Sequence, residues 1–172
     1  MKNSFTLFGL LVFCFALLAF RPFAWVPVSL DNRVSVQLPV QPQETALPAP
    51  ARMLTAKDAV GTYTIFTSPL GADFQGARRK EYYDSIVESF LSSGNGKLVG
   101  RSTFQLGGYD GVDFTAKVMG PDNQQSILLF ARCLIVDKRA YVLQLIPTDS
   151  GKSDEAQRKP FFESLTLKPV TE

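Results

Sequence analysis

The stretch Phe104–Pro147 constrains the fold more than any other part of the chain. Val112, Phe114, Ala116 and Val118 alternate with Asp113, Thr115 and Lys117, the period of a strand with one face buried. Ser126–Val136 is apolar at nearly every position, which suits an interior strand covered on both sides. Tyr141–Ile146 is another long strand, and Lys97–Leu106 precedes the set, with Leu98, Phe104 and Leu106 on one face and Lys97, Arg101 and Gln105 on the other. Gly107-Gly108-Tyr109-Asp110-Gly111, Gly120-Pro121-Asp122-Asn123 and Asp137-Lys138-Arg139 carry turn residues. Strands joined this tightly form an antiparallel meander, with neighbours in sequence adjacent in space.

The rest of the chain supplies what packs on that sheet. Val34, Val36 and Leu38 alternate with Ser35 and Gln37 in a half-buried strand. The prolines at 39, 42, 48 and 50 mark an extended loop. Arg52–Ala56 and Gly61–Ser68 read as a hairpin around Lys57–Gly61. Asp73 is an N-cap for a helix running to Ser93. Phe74, Ala77, Tyr82, Ile86, Phe90 and Leu91 recur there at helical spacing, and Gly94-Asn95-Gly96 is a strong stop. Asp154–Leu165 reads as a second helix weakened by Pro160, docking through Phe161, Phe162 and Leu165. The class is α+β: an antiparallel meander with one long amphipathic helix and a short C-terminal helix packed on it.

The organisation expected is an N-terminal segment over residues 1–24, a connector over 25–32, one domain over 33–168 and a tail over 169–172. Lys2 precedes an uncharged, mainly apolar run from Phe5 to Phe20. That is close to a secretory signal and short for a membrane span. A cleaved signal, a retained anchor and a buried helix of the domain all fit it. The first two place the domain outside the cytoplasm, exported or tethered to the membrane.

Several chemistries fall away. The chain has no histidine, so Ser-His-Asp and Cys-His catalysis are impossible. Net charge is +2, with Lys2 and Arg21 in or beside the N-terminal segment. The near-neutral remainder offers nothing for nucleic acid. Of the two cysteines, Cys14 lies in that segment and Cys133 reads as a buried thiol. Asp110 and Asp113 read as a turn residue and a surface charge. Arg132 is the lone charge in its strand, pairing with a neighbouring carboxylate such as Asp113 or leaving by the sheet edge. The glycine pairs sit between the wrong elements for a dinucleotide site. No catalytic group, cofactor or metal is expected.

The VSVQLP run Val34–Pro39, the turn Gly107–Gly111, the strand Lys138–Leu143 and the closing Phe161-Phe162-Glu163-Ser164-Leu165 together resemble the Mog1/PsbP-like α/β/α sandwich. The resemblance spans about residues 33 to 168 and implies a non-catalytic binding domain. The PsbP metal ligands do not carry over, since no histidine matches them.

The function expected is binding of an envelope protein or the membrane surface. Arg78, Arg79, Lys80, Tyr82 and Tyr83 are the candidate contact residues, because cations in the first turns of a helix oppose its dipole. A carrier of a hydrophobic small molecule, held between sheet and long helix, is the alternative.

Overall fold

A computed structural model describes residues 25–71, 77–120, 125–148 and 155–169. The expected N-terminal segment, Asp73 and Phe74 at the helix start, most of the Gly120–Asn123 turn and the last residues of the tail lie outside them.

Among the described residues, ten strands form two antiparallel sheets. They are β1 (Val26–Ser29), β2 (Val34–Leu38), β3 (Gln43–Thr45), β4 (Arg52–Lys57), β5 (Gly61–Pro69), β6 (Lys97–Leu106), β7 (Tyr109–Met119), β8 (Ser126–Val136), β9 (Arg139–Pro147) and β10 (Thr166–Leu167). Helix α1 (Ala77–Ser93) lies between β5 and β6, and α2 (Glu155–Glu163) follows β9. The large sheet has seven strands in the order β3-β4-β5-β9-β8-β7-β6, and the small one three, β1-β2-β10. β6 through β9 form the expected meander. α1 carries the chain from β5, inside the sheet, to its far edge at β6.

Alternation along the strands divides the core in two. On one face Tyr83 and Val87 of α1 pack with Val112, Phe114, Ala116, Leu129, Ala131, Cys133 and Ile135. On the other, the small sheet and α2 bring Val34, Val36, Leu38, Phe161, Phe162 and Leu165 against Tyr63, Ile65, Leu134, Tyr141, Leu143 and Leu145. The molecule is thus an α/β/α sandwich in which one outer layer also holds the small sheet.

Four local expectations need correction. The connector over 25–32 contains β1, which pairs with β2 from Val26↔Leu38 to Ser29↔Ser35. Pro27 hides it, although proline is tolerated on an edge strand. The proline loop contains β3, whose three residues are all exposed and so show no alternation. The turn before β7 is only Gly107-Gly108, both at positive φ, and Tyr109–Gly111 already pair with β6. A bulge between Leu98 and Gly100 puts Leu98 and Phe104 on opposite faces of β6, not on one.

The stops behave as turn chemistry dictates. At the end of α1 Gly96 donates to Leu91 O at 2.7 Å and Gly94 to Phe90 O at 3.2 Å, around Asn95 at φ 43°. Asp58 Oδ1 accepts from Val60 N at 2.9 Å and Gly61 N at 3.0 Å, closing the β4–β5 hairpin. At Gly111 a side chain would collide with the Phe104 ring, which lies across this position.

Candidate functional site

β7 and β8 place Asp113 directly opposite Arg132, on the face that α2 covers. Arg132 donates from Nε to Asp113 Oδ1 and from Nη2 to Oδ2, both at 2.7 Å. Its Nη1 donates to Phe162 O at 2.7 Å, satisfying a carbonyl in the last turn of α2. The guanidinium lies 4.2 Å from the centre of the Phe104 ring and 5.5 Å from that of Phe162. One side chain therefore fastens β6, β7, β8 and α2 together. Of the two fates open to Arg132, pairing with Asp113 is the one realised.

A cleft of about 320 Å³ opens beside this pair, between α2 and β6–β8. Its floor is Gly100, Ser102, Thr115 and Phe130, and its α2 wall is Arg158, Lys159, Phe162 and Glu163. The Arg158 guanidinium sits 5.2 Å from the Phe130 ring centre, a cation–π placement. Among the described residues no carboxylate lies within ion-pair distance of it. Lys159 reaches Glu163 only at 3.8 Å, and both are exposed, so that contact holds little. Arg132, Arg158 and Lys159 line the cleft with Asp113 and Glu163; Arg101 borders it as well, but its guanidinium lies on the α1 face, paired with Asp84. The space is thus cationic with an aromatic floor, suited to a carboxylate on an apolar stem.

The five expected contact residues do not form one surface. Arg78 is exposed. Lys80 donates to Asp84 at 2.7 Å, and Asp84 also meets Arg101 at 2.6 Å. Arg79 lies over the Tyr109 ring at 5.9 Å, as does Arg33 at the same distance. Tyr82 is half-buried and packs on the α1-side core. Tyr83 is 4% exposed, which corrects its assignment as a contact residue. Its hydroxyl donates to Asp110 O at 2.8 Å and accepts from Ile135 N at 2.9 Å. The reason is local: the β7–β8 ladder ends at Gly111↔Leu134, so the Ile135 N–H has no strand partner and Tyr83 supplies one. Tyr83→Phe should cost about 1–3 kcal/mol, the price of a buried donor left unmet. Urea unfolding measures the loss, and faster exchange at the Ile135 amide locates it.

A second polar cluster ties the small sheet to the turns of the large one. Tyr141 donates to Asp31, and Arg33 pairs with Asp137. Tyr109 donates to Asp137 at 2.6 Å, and Arg139 approaches Asp31 at 3.6 Å. Burial resists ionisation of Asp31, but hydrogen bonds from Tyr141 and the backbone of Val34 and Arg33 outweigh it and hold the carboxyl below its ordinary value. The hydrogen bond from Tyr109, then that from Arg33, does the same for Asp137 against its partial burial. Burial pushes the Tyr63 and Tyr83 phenols and the Cys133 thiol up to about 12.

These shifts set a pH profile. Lowered carboxylates add stability that is full above their ordinary 3.8 and is lost as pH falls through the lowered values. The raised thiol and phenols add stability that is full below 9.0 and 10.0 respectively and is lost as pH climbs toward about 12. With no histidine, the unfolding free energy from urea titrations should be flat from roughly pH 5 to 8 and fall on both sides. A step near neutrality would contradict this.

Sequence reasoning missed Arg158 and Lys159, which sit on the polar side of a short helix. The available signal was their position immediately before Pro160-Phe161-Phe162, a cation pair abutting an aromatic docking face.

Comparison with known proteins adds the fold. No family model and no curated protein matches the chain. The solution structure of cyanobacterial PsbP (CyanoP) from Synechocystis sp. PCC 6803 superposes with a TM-score of 0.62 at 9% identity, covering 87% of this chain and 95% of that one. A crystal structure from Bacteroides thetaiotaomicron VPI-5482 aligns at a TM-score of 0.49 and 12% identity, over 81% of this chain and 46% of that one, a likeness too weak to carry an inference. The first establishes a PsbP-like fold for this chain, and the fold alone.

Proposed function

We propose that this chain is a non-catalytic binding domain of the cell envelope, exported or tethered by residues 1–24, whose cleft receives a carboxylate-bearing segment of a partner protein. The observation that carries the reading is the lining of the cleft, where Arg158 and Lys159 stand with Glu163 beside the mutually paired Arg132 and Asp113, above the Phe130 ring. Arg132 positions the cleft: its donors to Asp113 and Phe162 O fix the wall and floor. Arg158 and Lys159 are the groups that meet the partner's carboxylates. The envelope location rests on the apolar run from Phe5 to Phe20. Among the described residues no helix is long and apolar enough to cross a membrane.

The carrier alternative needs apolar space between the sheet and α1. The described side chains there pack into one buried cluster, and the cleft lies on the other face with charged walls, so the protein-binding reading is preferred.

Photocrosslinking groups placed singly at Ser102 and at Arg78 in cells test it. The expected result is a discrete protein adduct from position 102 and none from 78. Adducts from 78 alone, or only lipid adducts from both, would return the site to the α1 surface or to the membrane.

A further inference from the structure

The large sheet ends differently on its two sides. Its β3 edge is three exposed residues flanked by Pro39, Pro42, Pro48 and Pro50, and both brevity and proline blunt an edge against pairing. Its β6 edge runs ten residues without a proline. It also carries exposed large hydrophobics, Leu98 at 45% and Val99 at 61%. The bulge disturbs only its start, and from Gly100 to Leu106 its pairing with β7 is regular.

The two-residue turn Gly107-Gly108 makes Leu106 and Tyr109 the hydrogen-bonded pair beside it. Alternation then aims the backbone groups of Phe104, Ser102 and Gly100 at β7. Those of Gln105, Thr103 and Arg101 point outward, and among the described residues no other element bonds them. Gly100 and Ser102 also floor the cleft, and nothing lies within 4 Å of where a Cβ on Gly100 would stand. The cleft is therefore open sideways onto this edge.

We infer that the partner docks by strand addition: an extended segment pairs with Arg101–Gln105 and lays carboxylates from alternate positions over Gly100 and Ser102 toward Arg158 and Lys159. This rests on the binding reading above and gives it a geometry. Charge selects the occupant. β6 holds Lys97 and Arg101 and no carboxylate, so a second copy of the chain would offer the same carboxylate-free strand. Residues 1–24 contain no Asp or Glu. An acidic segment of another protein is what the edge and the cleft jointly fit.

The test uses the full chain in mild detergent with synthetic peptides of about eight residues, long enough for one strand. One alternates Glu with Val, one Lys with Val, one Glu with Gly, and a fourth is the Glu–Val peptide N-methylated on alternate amides along one edge. The Glu–Val peptide should bind and slow exchange at the Arg101, Thr103 and Gln105 amides by about tenfold or more. The Lys–Val and N-methylated peptides should not. Thr103→Pro should abolish binding with little change in unfolding midpoint, since that N–H lies outside the ladder; if the variant is unfolded, the N-methylated peptide decides. Acidic peptides that shift cleft resonances without protecting those amides overturn strand addition and leave the cleft reading standing. Protection that grows with protein concentration and needs no peptide assigns the edge to a second copy and overturns the inference. Failure of both acidic peptides to bind overturns the cleft reading as well.

Discussion

Arg132→Ala is expected to destabilise the domain by about 2–4 kcal/mol. Breaking a fully buried ion pair costs about 3–5 kcal/mol, because the abandoned charge stays out of water. The side chain of Arg132 is 16% exposed and that of Asp113 31%, so water relieves part of that penalty. Against this, Arg132 also serves Phe162 O and covers two aromatic rings, and all of these contacts disappear together. Asp113→Ala removes less, since the guanidinium keeps Phe162 O and both rings; about 1–2 kcal/mol is expected. A double-mutant cycle by urea denaturation should therefore show strong non-additivity. Additive losses would mean that the two side chains do not act as a unit.

Phe161→Ala should cost about 3–5 kcal/mol, the range for emptying a buried aromatic site. Phe161 is 0% exposed. Its ring meets Tyr63 edge-on at 5.1 Å and Phe162 at 5.1 Å, and Tyr63 continues to Trp25 at 5.9 Å. The helix that carries it is short and interrupted by Pro160, so this row of rings and the Arg132 bond to Phe162 O are its chief ties to the sheet. The loss should thus appear first as detachment of α2, with backbone exchange quickened there before the β7–β9 amides respond. Uniform acceleration across the sheet would show that α2 has no separate opening.

Much of this architecture was readable because burial on one side imposes a period. β7 alternates since Val112, Phe114, Ala116 and Val118 face α1 while Asp113, Thr115 and Lys117 lie on the opposite face of the sheet. β8 is apolar at nearly every position because layers cover both its faces. Where burial is slight the signal vanishes: β3 is wholly exposed and β1 is an edge interrupted by Pro27. The stripe of α1 was legible as a period but not in phase. Tyr82, Ile86 and Phe90 flank it, while Tyr83 and Val87 form its centre, and Tyr83 looked like a surface group because its hydroxyl has a task in the core. The cleft was not legible, since α2 and β6–β8 meet only through the tertiary fold. Its one readable component was the pairing of Arg132 with Asp113, which follows from their places on adjacent strands.

The central claim is that binding resides in the cleft and not on the basic start of α1. The most direct test compares the affinity of the Glu–Val peptide for three forms of the full chain: unaltered, Arg158→Ala/Lys159→Ala and Arg78→Ala/Lys80→Ala. The cleft pair should weaken binding by about tenfold or more, with the α1 pair unchanged. Loss confined to the α1 pair, with the cleft pair intact, would contradict the account.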